Sequence, residues 1–305
     1  MIKNPPPWPD GARCAVSLTF DEDADSILHL AHHASAHNRV AASSMLRYGP
    51  EIATPRILDM YRRFGLRQTF FVPAWCIERY PKTVELILRD GHEIAHHGYL
   101  HEHPNELPEE EQIYWLRRSS EVIERFTGKK PRGMRAPTYK FSATTLDHLV
   151  EDGFEYDASL MGNDIPYLLT NGRGSVVELP THYGVDDFPH YMSSRDFNYI
   201  MPAKAPSHAM DSFRAEFDAA WEYGGLFIPI WHPFLSGRLA RCHAIAGFIE
   251  YMLGKGKVWF APMEEIAAHV RGLVAGNLWQ PHVDRLPHYD GPIPELGRVE
   301  PALSR

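Results

Sequence analysis

Short apolar runs alternate with amphipathic runs along almost the whole of this 305-residue chain, and that alternation limits the folds open to it. RCAVSLTFD (13–21) reads as a buried strand, followed by RQTFFVP (67–73), HEIAHH (92–97), PRGMRAP (131–137), FEYDAS (154–159), SVVELP (175–180), GLFIPIWHP (225–233) and KVWFAP (257–262). Residues 54–65, 80–91, 107–128, 142–153, 207–224, 239–256 and 263–272 carry the apolar spacing of helices. Their ends have matching chemistry. Pro81 starts one helix, Ser142 suits an N-cap, three glutamates open the helix at 107–128, and Gly65 and Gly91 close two others. Strand then helix, seven or eight times over, implies a mostly parallel sheet with helices outside, and a barrel is its natural closure. The expected organisation is one barrel domain over 1–272. A proline-rich extension over 273–305, with Pro281, Pro287, Pro292, Pro294 and Pro301, is expected to pack on the barrel or on a neighbouring subunit. Residues 22–53 and 160–206 read as loop-rich insertions.

Composition removes several classes of function. The net charge is −8 with no basic stripe, which argues against a nucleic-acid partner. No run approaches the ~18 apolar residues of a membrane span. The first residues, MIKNPPPWPDGAR, lack the apolar core of a signal peptide, and Cys14, Cys76 and Cys242 suit reduced thiols. A cytoplasmic protein is the expectation.

Histidine stands out, with 18 copies, five of them in GHEIAHHGYLHEHP (91–104). His97 and His101 are spaced i, i+4, which on a helical turn places two imidazoles on one face, as metal sites use. His96 points away from His97 if the strand persists, His92 sits at the strand's start, and His103 precedes Pro104. The group His29, His32, His33 and His37 reads as a surface helix or loop.

The other polar clusters also fall at strand ends, where α/β barrels build active sites. In TFDEDAD (19–25), strand alternation turns Asp21 and Asp23 one way and Glu22 the other. Two carboxylates on one face call for a cation or a shared proton. Asp23 with His97 and His101 would leave open positions for water and substrate, as hydrolytic metal sites require. In GMRAPTY (133–139), Arg135 can orient a carboxylate through two hydrogen bonds. In IPIWHPF (228–234), His232 follows the most apolar strand and can protonate a leaving group. Tyr139, Asp164 and Trp231 are placed beside these as substrate contacts. The aromatic segment 183–199 is expected either to line the pocket or to make a packing or subunit contact.

Taken in order, TFDEDAD, HHGYLH, RAPTY, YDAS and WHP resemble the NodB-homology polysaccharide deacetylases, carbohydrate esterase family 4, over about residues 13–270. The resemblance implies a single distorted (β/α) barrel of about seven parallel strands. It implies one divalent metal, most often zinc, held by Asp23, His97 and His101, with Asp21 as general base, Arg135 as its orienter and His232 as general acid. The family's T-F-D-D-G is here T-F-D-E-D, so Glu22 is a rival to Asp23 as ligand. Gly98 replaces a Ser or Thr whose hydroxyl would brace the histidine loop. These departures resemble an intracellular branch containing peptidoglycan-deacetylase-like proteins, cyclic imidases and allantoinase-like enzymes, which implies a homotetramer or homodimer. The implied reaction is hydrolysis of a non-peptide C–N bond in a sugar amide or small-molecule amide or imide, with an oxyanion assisted by a backbone N–H near Tyr139. The alternatives are a metal-free allantoinase-like hydrolase and a non-catalytic sugar- or metal-binding barrel.

Overall fold

The first apolar run forms two short strands, β1 (Cys14–Val16) and β2 (Thr19–Asp21), in the computed structural model, which describes residues 1–202, 204–289 and 291. The break falls at Leu18, whose N–H donates to Gln68 Oε1 at 2.5 Å while its carbonyl accepts from the Tyr61 hydroxyl at 2.7 Å. Side chains thus take the place of strand partners there. The following strands are β3 (Thr69–Val72), β4 (Glu93–His96), β5 (Gly133–Met134), β6 (Tyr156–Asp157), β7 (Tyr167–Thr170), β8 (Ser175–Glu178), β9 (Leu226–Phe227), β10 (Ile230–Trp231), β11 (Val258–Phe260) and β12 (Val283–Arg285). The separation of β9 from β10 contains Pro229, which has no N–H to offer a ladder.

Two ladders result, β11-β1-β9 and β10-β2-β3-β4-β5-β6-β8-β7-β12, parallel throughout except for the β7–β8 hairpin. Because β1 runs on into β2 and β9 into β10, the ladders join as one distorted α/β barrel. No ladder pairs β8 with β9, β10 or β11 among the described residues. There the side chain of Thr181 donates to the Ile228 carbonyl at 3.0 Å, and Asp186 bridges Ile230.

Strand register sorts the core into two layers. Asp21, Phe71 and Ala95 lie side by side across β2, β3 and β4, as do Phe20, Phe70 and Ile94. The first row faces the barrel interior with Tyr156 and Ile228; the second packs against the helices with Tyr61 and Trp231. Phe20 sits 5.8 Å from Phe70 and 5.7 Å from Trp231, ring centre to ring centre.

Several elements differ from expectation. The segment 22–53 contains helices Ser26–Ala31 and Val40–Tyr48, then a π-turn Gly49–Ala53 leading into helix Thr54–Phe64. Strand β7 arises within the expected loop. Its turn, Asn171-Gly172, has the Asn171 side chain accepting from the N–H groups of Arg173 and Gly174. The boundary expected at 272/273 falls inside helix Met263–Ala275, and β12 then pairs with β7. Residues 292–305, with Pro292, Pro294 and Pro301, lie outside the described residues.

At the end of the barrel opposite the polar clusters, Glu93 is buried and accepts from Tyr156 Oη (2.8 Å), Thr69 Oγ1 (2.6 Å) and the Glu264 N–H (3.0 Å). Burial pushes its carboxyl up from 4.5 to about 7. A raised folded-state value favours the neutral form. Its contribution to stability is therefore complete below pH 4.5 and is lost as pH rises through 7. Chemical denaturation should show the wild type losing about 2–3 kcal/mol between pH 4.5 and 8 through this group, a slope that Glu93→Gln removes. An unchanged slope in the variant would assign the pH dependence elsewhere.

Candidate active site

At the opposite end, the strand termini bring the expected polar residues to one cavity. Asp21 closes β2 on the interior face. Arg135, wholly buried just beyond β5, donates through Nη1 to Asp21 Oδ1 at 2.5 Å and to Thr19 Oγ1 at 3.0 Å. Its Nε donates to the Ala158 carbonyl at 3.1 Å, and its guanidinium lies 4.0 Å over the Phe71 ring. A buried cation is tolerable only with such compensation, and the fit fixes which way Asp21 points.

Asp23 lies in the turn after β2. The turn is held because the Asp23 carbonyl accepts from the N–H and hydroxyl of Ser26 and from Cys76 Sγ. Its Oδ1 is 3.4 Å from His97 Nε2, and its Oδ2 is 3.5 Å from His101 Nε2 and 3.4 Å from His232 Nε2. Glu22 faces elsewhere. Its carboxylate accepts from Thr54 Oγ1 and abuts Gly49, and burial raises its pKa to about 8.

His97 follows β4, and its Nδ1 lies 2.7 Å from the Arg135 carbonyl. A carbonyl only accepts, so Nδ1 carries the proton and Nε2 offers a lone pair toward Asp23. The run from His97 to His101 is not the helical turn suggested by its spacing. Gly98 and His101 both adopt left-handed φ, 73° and 68°, so a tight bend brings the two rings to 5.0 Å. The hydroxyl absent at Gly98 is replaced by Glu102, whose carboxylate accepts from the N–H groups of Tyr99 (2.9 Å) and Leu100 (2.7 Å). A Cβ at Gly98 would meet Glu102 and Pro137 at 3.1 Å. His96 points away as expected, accepting from the Gly98 N–H and pairing with the Leu116 carbonyl. His92 is buried and accepts from the Gln68 N–H, while His103 lines the cavity beside Glu106.

His232 is set by two residues that sequence reasoning missed. Asp187, fully buried, places Oδ1 2.6 Å from His232 Nδ1, while its Oδ2 accepts from the His232 N–H at 2.9 Å and from Ser236 Oγ. Asp186 accepts from the Tyr139 hydroxyl. Burial alone would drive the His232 imidazole neutral, but the carboxylates of Asp187, Asp23 and Asp186 outweigh it and push its pKa up to about 10. The available signal was the adjacent acid pair within the aromatic run YGVDDFPHY.

Could these residues hold a metal? One oxygen and two nitrogens from Asp23, His97 and His101 lie within 4.8 Å of one another. Asp23 Oδ1 is buried without a hydrogen-bond partner among the described residues. The Asp–His separations exceed the about 2.7–2.9 Å of a charge-assisted hydrogen bond. One carboxylate and two imidazoles facing open space form a donor set that suits a catalytic divalent ion. Asp186, Asp187 and His232 also cluster, but there the donor atoms of Asp187 and His232 already bond one another.

The cavity has a volume of about 850 Å³ and is lined by Asp21, Asp23, His97, His101, Arg135, His232 and Tyr139. Two expected substrate contacts lie elsewhere. Trp231 is enclosed in the layer between sheet and helices, because its register with Phe20 turns it outward. Asp164 lines a separate depression of about 170 Å³ near Met1 and Tyr223. The Tyr139 N–H donates to the Ala136 carbonyl, so it is not free for an oxyanion.

Known proteins share this arrangement of chain. Residues 11–156 match the family model for polysaccharide deacetylase, a stretch that ends before Asp187 and His232. A peptidoglycan deacetylase of Helicobacter pylori is 30% identical over 63% of this chain and 74% of its own. A peptidoglycan deacetylase-like protein of Gibberella zeae is 30% identical over 71% of this chain and 73% of its own. A solved structure from Mycobacterium smegmatis, assigned to the polysaccharide deacetylases, is 38% identical and superposes with a TM-score of 0.87, covering 97% of this chain and 99% of that one. An allantoinase shares the fold at 24% identity and a TM-score of 0.77, over 88% of this chain and 95% of its own. With extended identity to such relatives and the metal-ready cavity at the strand ends, the chain belongs to the polysaccharide deacetylase family, hydrolases of non-peptide carbon–nitrogen bonds.

Proposed function

We propose that this chain is a zinc-dependent N-deacetylase in which Asp23, His97 and His101 hold the ion, Asp21 is the general base, Arg135 its orienter and His232 the general acid. The observation that carries the reading is the buried, unpartnered Oδ1 of Asp23 facing two imidazoles beside a carboxylate–arginine pair. A metal-free hydrolase or an inert barrel leaves that oxygen without a purpose.

When bound, a divalent ion supplies Lewis-acid polarisation of the amide carbonyl and a lowered pKa for water. Asp21, fixed by Arg135, takes the water's proton as its oxygen attacks the carbonyl carbon. His232 donates a proton to the departing nitrogen through Nε2. Asp187 holds Nδ1–H and keeps the ring turned toward the cavity, the orienting part a carboxylate plays behind a catalytic histidine. The C–N bond breaks, hydroxyl ends on the acyl carbon and hydrogen on the nitrogen, so the products are acetate and an amine.

The test is acetate release from N-acetyl compounds by the purified protein before and after chelation. Activity abolished by chelation and restored by zinc supports the reading; hydrolysis that survives chelation counts against it. The base must be ionised and the acid protonated, so the rate should be bell-shaped in pH. Three free, buried cysteines support a reducing, cytoplasmic setting. Assembly into dimers or tetramers belongs to the same reading and is checked by light scattering.

A further inference from the structure

We propose that this cavity selects uncharged N-acyl amides bearing an apolar or aromatic ring-sized group, in preference to strands of N-acetylated sugar. The proposal rests on the deacetylase reading above and names its substrate class.

Two segments form facing walls. Helix Ser26–Ala31 contributes Ile27 and Leu30, and the stretch after β8 contributes Phe188, Phe197 and Tyr199. Leu30 leaves 37% of its surface exposed beside these rings. Phe188 stands edge-on to Tyr199 at 5.3 Å and to His232 at 5.5 Å, so the apolar surface begins at the proposed proton donor itself. A group attached to the departing nitrogen would enter this surface first.

The walls are tied together. His32 Nε2 lies 2.6 Å from the Asp196 carbonyl, which can only accept, and Arg39 pairs with the Asp196 carboxylate. The His32 ring also packs against Phe197 at 6.3 Å. A tie across one side of the cavity obstructs the passage of a long strand past the reacting centre, while a compact molecule needs no such passage.

The polar groups point the same way. Tyr139 Oη is engaged by Asp186, the Glu102 carboxylate by two backbone N–H groups, and Lys140 Nζ by Glu106 at 2.5 Å. Arg135 is engaged by Asp21. Lys140, Arg135 and His232 on the lining each face a carboxylate of the chain itself, so the positive charge there is matched without a ligand. The Tyr183 and Tyr199 hydroxyls and His103 Nε2 remain on the lining, fewer groups than the hydroxyls of successive sugar rings require, and a polyhydroxylated ligand buried without partners is disfavoured. An apolar ring loses no hydrogen bonds and gains contact with Phe188, Phe197, Tyr199 and Leu30.

The experiment compares acetanilide, N-acetylglucosamine and chitotetraose as substrates of the zinc-loaded full chain, with metal content measured on every sample. Acetanilide should show a kcat/KM at least roughly tenfold above either sugar. Phe197→Ala should raise KM for acetanilide by about fivefold with a smaller change in kcat, the signature of lost ground-state binding. Asp196→Ala combined with His32→Ala, which removes both ties, should narrow the preference for acetanilide over chitotetraose. Calorimetric titration with aniline, the departing amine of acetanilide, gives a readout independent of turnover, and its affinity should fall in Phe197→Ala. Chitotetraose preferred by a metal-loaded wild type overturns the inference and leaves the deacetylase reading standing. Failure to hydrolyse any of the three by a chain that binds zinc overturns both.

Discussion

Replacing Asp21 by asparagine should lower kcat by about 10²–10⁴-fold while leaving metal content intact, because it removes a proton acceptor and almost nothing else. Asparagine keeps an oxygen for Arg135 Nη1, now 2.5 Å from Asp21 Oδ1, and Arg135 keeps Thr19, the Ala158 carbonyl and the face of Phe71. The buried guanidinium loses its counter-charge, so some loss of stability accompanies the change. Melting temperature and metal content measured beside kcat separate that loss from the chemical one. A variant that folds, binds metal and retains near wild-type kcat would remove Asp21 from the role of base.

The second large effect is expected at the opposite partner. His232→Ala should lower kcat by about 10²–10⁴-fold on substrates with a basic departing amine, and much less on one with a good leaving group. That dependence on the leaving group distinguishes a proton donor from a residue that merely shapes the cavity. Asp187→Asn should act through His232. An amide at this position can present N–H to Nδ1, which favours the neutral imidazole with its only proton on Nε2, a far weaker acid than the imidazolium. It also removes the first carboxylate that raises the His232 pKa to about 10. The alkaline limb of the pH–rate curve should therefore move to lower pH, with kcat reduced and KM little changed. An unmoved alkaline limb would show that Asp187 serves only to hold the segment in place.

Much of this site was legible in the sequence because strand alternation is a strict period. Asp21 and Asp23 against Glu22, and His97 against His96, follow from side chains pointing to opposite faces, and both pairs separate that way. Arg135 and His232 were legible for another reason. A charged or titratable residue just past a very apolar strand and before a proline lies at the mouth of a parallel barrel. What the sequence hid was conformation without period. The bend at 98–101 depends on two left-handed residues, one of them a histidine, and no spacing rule announces it. Asp187 lies 45 residues from His232 in a five-residue helix, so their contact is a property of the tertiary fold alone. Trp231 was misplaced by neglecting the same alternation that located Asp21. Adjacent to His232 in sequence, it belongs to the row of Phe20 and faces the helices. Strand β7 was within reach, since Asn171-Gly172 between two apolar runs is a hairpin signal.

Metal content decides the central claim most directly. Wild-type protein, Asp23→Ala and His97→Ala would be purified, supplied with zinc, dialysed and weighed for metal by mass spectrometry. About one ion per chain in the wild type, lost in both variants, is the predicted result for a site built from one carboxylate and two imidazoles. A wild type that holds no ion after zinc has been supplied, or variants that hold it as well as the wild type, would contradict the assignment of Asp23, His97 and His101.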